Sequence, residues 1–140
     1  MSRTVHEMRW RGNPDSTIAK TDENKYLAVI ADTGTANGDA TNIPVALTTT
    51  ADLVPVGQLL TYTDEDRVFI ESGMAILQAS AAYAASQNGM GVLTDTTEGQ
   101  VKAVAKNIAV AGQGTIIGGG TRTVGTTTVN VLYVACLMTG

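Results

Sequence analysis

Asp32-Thr33-Gly34 closes the apolar run LAVIA. It is the tripeptide that carries the catalytic carboxylate of aspartic proteases, where two such Asp residues share one proton. This chain has one copy, so the chemistry would require a homodimer. Thr115-Ile116-Ile117-Gly118 matches the apolar-apolar-Gly segment that packs behind the Asp loop of those enzymes. The residues around both stretches depart from that pattern. Thr35-Ala36-Asn37 follows the triad, and Gly119-Gly120-Thr121 follows Gly118. Asp-Thr-Gly is also ordinary turn chemistry, because Asp bonds its own backbone and Gly tolerates positive φ. Gly112-x-Gly114 and Gly118-Gly119-Gly120 contain the glycines of a phosphate-cradling loop. Such a loop feeds a helix N-terminus, and its Walker form adds a Lys. Here the β-prone Thr121–Gly125 follows, so these glycines are expected to mark hairpin turns.

The remaining polar clusters are sparse. Asp64-Glu65-Asp66 could attract a divalent cation, but it lacks the ligand spacing and Gly bend of a calcium loop. It reads as a solvated turn. His6 is the single histidine, so a three-His metal site is impossible. Cys136 is the single cysteine and lies in the apolar run VLYVACLM, where it reads as a buried small hydrophobe. No catalytic residue, metal or cofactor is expected. Arg9-Trp10-Arg11 is the most distinctive polar feature. Trp offers a large contact area, and Arg pairs bidentately with carboxylates. The cluster suits an anchor on another protein, or a cap on its own domain.

The 140 residues fit one domain, and 44% hydrophobic content suffices for a core. Only 16% of residues are charged and 4% aromatic. There are 21 Thr, 18 Ala, 15 Gly and 14 Val. Small and β-branched side chains point to a β-rich structural or interaction module rather than an enzyme. The net charge is −4, and residues 26–140 carry four basic against nine acidic side chains. That body would repel a polyanion, so nucleic acid is not an expected partner. No apolar run is long enough to span a bilayer, so no membrane is expected. The N-terminus has no apolar signal region, so no secretory signal is expected.

The elements follow from punctuation. Residues 1–25 show no sustained periodicity, and Asn13-Pro14-Asp15-Ser16 breaks them. They read as an extended arm that must pack along its own domain or a neighbour. Residues 26–140 read as one β-rich domain. Expected strands lie in Tyr26–Ala31, Ile43–Thr48, Leu53–Thr63, Arg67–Glu71, Gly91–Leu93, Gln100–Ala105, Thr115–Ile117 and Thr128–Met138. Asn37-Gly38-Asp39 is a tight-turn signal, and Pro44 pushes its strand towards an edge or an irregular start. The Ala-rich Ser72–Asn88 reads as a strand to about Ala79, then a turn or single helical turn. The fold class is therefore all-β: a small antiparallel β-barrel or sandwich with an extended N-terminal arm.

Arg67–Ala105, RVFIESGMAILQASAAYAASQNGMGVLTDTTEGQVKAVA, runs from a strand through an Ala-rich step to Asn88-Gly89-x-Gly-Val-Leu-Thr-Asp95. It then returns through Gly99-Gln-Val-Lys-Ala. Gly114-Thr-Ile-Ile-Gly and the terminal Val129-Asn-Val-Leu-Tyr-Val complete the pattern. This C-terminal half resembles the capsid decoration, or cement, proteins of tailed bacteriophages. The resemblance implies a virion structural protein, made in the host cytoplasm and seated on the outer capsid surface. Its implied partners are the major capsid protein and itself, as a homotrimer or alternatively a homodimer. Many weak contacts would then add by multivalency. Val5, Met8, Arg9, Trp10 and Arg11 are the expected contacts with the capsid or a sister subunit. The alternatives are a homodimeric aspartic protease and a host- or glycan-attachment β-module.

Overall fold

Short β-branched runs closed by Gly, Pro or Asp give short strands, and the first half of the chain curls them into a tube. The structure, a computed structural model, describes residues 7–34, 43–106, 112–135 and 137. Val5, His6, the Asn37-Gly38-Asp39 turn and Cys136 lie outside the described residues. Strands β1 (Arg9–Pro14), β2 (Ala28–Ala31), β3 (Ile43–Ala46), β4 (Gly57–Tyr62) and β5 (Val68–Glu71) form a closed barrel in the order β1-β3-β2-β4-β5. The pairs are antiparallel except β1 with β3, which run parallel. Val29, Val45, Leu59, Val68 and Ile70 are fully buried in the barrel's core. Ile18 and Leu27, from the segment that follows β1, join the same cluster.

The second half makes a layered companion. Strands β6 (Met74–Gln78), β7 (Gly91–Thr94), β8 (Val101–Val104), β9 (Thr115–Val124) and β10 (Thr127–Ala135) form a three-stranded sheet, β6-β10-β9, and a β7-β8 hairpin. Ala75, Leu77, Ile116, Leu132 and Val134 of the sheet pack with Val92 and Val101 of the hairpin. Ala28 of the barrel belongs to this second core, so the two halves share a wall. Gln58 fixes that junction by accepting from the Ile76 N–H at 2.9 Å. Gln78 does the same, donating through Nε2 to the Lys25 carbonyl at 2.8 Å. Among the described residues no buried side-chain N or O lacks a partner.

The all-β barrel expected from the sequence is what the structure contains. Three local expectations change. Residues 9–14 of the arm are a barrel strand, bonded on both sides. Gly118–Gly120 is not a turn but the middle of β9. Two of the glycines are covered by rings: a Cβ at Gly119 would stand 2.5 Å from Tyr83 Cγ, and one at Gly118 would stand 3.0 Å from Tyr133 Cδ2, whereas Gly120 faces open space. Glycine in a strand marks such a close approach. Pro44 falls at the start of β3, but that strand has neighbours on both sides and is no edge. The Ala-rich segment behaves as expected, with β6 followed by a single 3-10 turn at Ala85–Gln87.

Two predictions follow from this packing. A Cβ at Gly57 would lie 2.4 Å from Ile70 Cγ2 and 2.8 Å from the Glu71 carbonyl. Gly57→Ala should therefore cost about 1–3 kcal/mol by overpacking, read as a lower urea midpoint. On the β7–β8 connection, the Ser80 hydroxyl and then the Thr96 N–H hold the Asp95 carboxyl below its usual pKa. A lowered folded pKa gives stability above the unfolded value, about 3.9, that is lost as pH falls through the folded one. Unfolding titrations should show a shallower acid loss for Asp95→Asn than for wild type.

Candidate interaction site

Alternation along β1 sorts the Arg-Trp-Arg cluster onto two faces. Arg9 and Arg11 point outward, while Trp10 turns in and packs against the barrel core. Trp10 Nε1 donates to Ser72 Oγ at 2.7 Å, and Ser72 Oγ donates onward to the Val56 carbonyl. Trp10 is thus a cap on its own domain. Met8, just before β1, falls by the same alternation on Trp10's side of the strand, not with Arg9 and Arg11, and is 42% exposed. Val5 lies outside the described residues.

The outward side chains meet β4 and β5. Arg11 stands opposite Phe69 in the β1–β5 register, and Arg9 opposite Glu71. Phe69 is 38% exposed, although its neighbours Val68 and Ile70 are fully buried. A register shift in β4 between Leu59 and Tyr62 alters the pairing around Leu60 and Thr61. Arg9, Asn24, Leu60, Thr61 and Phe69 line a concave site of about 320 Å³. Asn24 is held at its rim with φ 56, its N–H donating to the Leu60 carbonyl at 3.0 Å.

Glu71 locks this wall. Its side chain is 5% exposed, and a carboxylate buried that far must be paired or bonded. Oε2 accepts from the Met8 N–H at 2.7 Å and the Gly73 N–H at 3.0 Å. Oε1 accepts from Arg9 Nε at 3.1 Å. The Ser72 N–H then donates to the Met8 carbonyl at 2.9 Å. The exposed patch is therefore mounted on a strand pair whose ends are cross-linked.

No protein-family model, curated protein or solved structure matches this chain. The site is therefore read from its own geometry. It offers one exposed aromatic side chain, Phe69, a shallow cavity and two guanidinium groups on a fixed wall. That combination can seat an apolar side chain and pair a nearby carboxylate.

The other candidate residues serve the fold. Asp32 Oδ1 accepts from the Gly34 N–H at 2.8 Å, which is the turn chemistry open to Asp-Thr-Gly. Ile116 of the TIIG stretch is buried in the second core, in a different sheet from β2. Asp64-Glu65-Asp66 lies in the β4–β5 turn, where Asp66 pairs with Lys20 at 3.2 Å. Among the described residues no three His, Cys, Asp or Glu side chains cluster for a metal. Among the described residues no helix is long and apolar enough to cross a membrane.

Sequence reasoning passed over Leu60, Phe69 and Glu71. The signal for Phe69 was present in RVFIE, since inward Val68 and Ile70 force Phe69 out. Glu71 had no local signal, because its donors come from residues 8, 9 and 73. Glu71→Gln would leave an amide NH2 facing either Arg9 Nε or the two backbone donors. Loss of a charge-assisted bond there should cost about 1.5–3 kcal/mol. The check is a urea titration, with the midpoint lowered and the slope unchanged.

Proposed function

We propose that this chain is a virion structural protein that decorates the outer surface of a tailed-phage capsid and clamps major capsid protein subunits together. The observation that carries the reading is the wall of Arg9, Arg11, Leu60 and Phe69 on a cross-linked strand pair. Aromatic and Arg side chains are the residues that dominate protein interfaces. Mounting them on bonded strands reduces the ordering cost of association. Trp10 contributes by holding β1 in place rather than by touching the partner. The strand-turn pattern of Arg67–Ala105 and its likeness to cement proteins supply the choice of partner.

The test is occupancy on particles purified from producing cells. Wild type should co-purify with capsids at a fixed copy number. Phe69→Glu combined with Arg11→Glu should weaken binding at least about tenfold, since interface hot spots cost about 2 kcal/mol or more. Both side chains are outward-facing, so circular dichroism should show an unchanged fold. Absence of wild type from particles, or full occupancy by the folded double variant, would refute the reading.

A further inference from the structure

The β9–β10 hairpin outruns the sheet it belongs to. β6 pairs with β10 only from Val131 to Ala135, and a last bond joins the Ala79 N–H to the Asn130 carbonyl. β9 pairs with β10 as far as Thr127. Beyond Asn130 the sheet is therefore a two-stranded ribbon. It closes on Gly125-Thr126, where φ is positive at Gly125 alone, the pattern of a type II′ hairpin turn. Two-stranded ribbons are marginal in water unless something covers them.

The outer edge of β9 is open along this ribbon. Ile116 donates to the Met90 carbonyl and accepts from the Gly89 N–H, both at 2.8 Å. Among the described residues, none from 117 to 124 has a backbone bond beyond β10. Natural edges are guarded by Lys, Pro or bulges. Here the pairing register shifts between Tyr133 and Val134, opposite Ile117, and Gly118–Val124 then contains neither Lys nor Pro. Its single charge is turned inward. Arg122 stacks 5.6 Å from the Tyr133 ring and 5.8 Å from the Tyr26 ring, and donates to the Tyr133 hydroxyl at 3.3 Å. Ile117 stands at the start of this edge, 49% exposed.

Charge selects the occupant. Each copy carries a net −4, so two copies repel one another wherever carboxylates face outward. Residues 107–140 hold one charged side chain, Arg122. The ribbon is therefore a surface on which two acidic copies meet with no carboxylate side chain on either edge. Its Gly and Thr side chains also let two backbones approach closely.

We infer that the outer edge of β9 pairs antiparallel with the same edge of a second copy. The two three-stranded sheets then join into one of six strands about a two-fold axis. Main-chain bonds supply the affinity, as in other cases of strand addition. Identical edges paired in this way close on themselves, so the assembly is a dimer. The inference is independent of any capsid.

Sedimentation of the purified full chain over a concentration series tests it. Wild type should show a monomer–dimer equilibrium. Thr121→Lys combined with Thr123→Lys places like charges along the seam at two exposed positions. It should weaken the dimer at least about tenfold with the melting temperature unchanged. Ile117→Lys, at the exposed start of the edge, should act in the same direction and covers the case in which the double variant misfolds. Amides 117–124 of wild type should gain hydrogen-exchange protection as concentration rises. A wild type that stays monomeric at millimolar concentration, a trimer, or a dimer unaffected by the folded Lys variants would overturn the inference.

Discussion

The Glu71 carboxylate is the constraint on which the architecture turns. It sits where β5 ends, where the link to the second sheet begins and where β1 arrives from the N-terminus. Buried and charged, it requires donors, and three groups supply them: Met8 N, Arg9 Nε and Gly73 N. Satisfying that one group fixes the register of β1 on β5. The neighbouring Ser72 extends the lock to Trp10 and Val56 through its hydroxyl, and its carbonyl accepts from the Leu137 N–H at 3.0 Å. One short segment thus ties the first strand, the barrel wall and the far C-terminal turn.

This wiring divides the polar residues between scaffold and surface. Gln58, Gln78 and Thr94 are buried and spend their hydrogen-bonding groups on backbone partners or on one another's loops. Thr94 shows the economy of it: its hydroxyl donates to the Thr50 carbonyl and accepts from the Leu53 N–H, which seats the 50–53 loop against β7. What remains outside is a barrel wall with apolar and cationic side chains, and a ribbon at the other end of the chain whose one charged side chain is Arg122. The two surfaces are separate in sequence and differ in chemistry.

Much of the fold could be read from residue pattern. RVFIE, GVLT and the terminal valine-rich run announce strands by alternation, and Asn88-Gly89, Glu98-Gly99 and Gly125 announce turns whose glycines do carry positive φ. Two features resisted. β1 hides its alternation behind arginines, since Arg9 and Arg11 are the outward members of an inward Trp10–Gly12 pair. Gly118–Gly120 imitates a turn because the rings that press on Gly118 and Gly119, those of Tyr133 and Tyr83, come from distant positions. The outward wall was half legible. Arg9 and Arg11 stood out by type, whereas Leu60 and Phe69 join them only because closure of the barrel brings β5, with β4 beyond it, against β1.

That closure has a temporal side. The seam of the barrel joins β1 to β5, so the opening strand has no antiparallel neighbour until Val68–Glu71 has been synthesised. Its only earlier companion is the parallel β3. Until β5 follows, the structure offers β1 one strand partner, β3, and a single-sided ladder. The last residue of β5 then serves as the signal that the tube is complete.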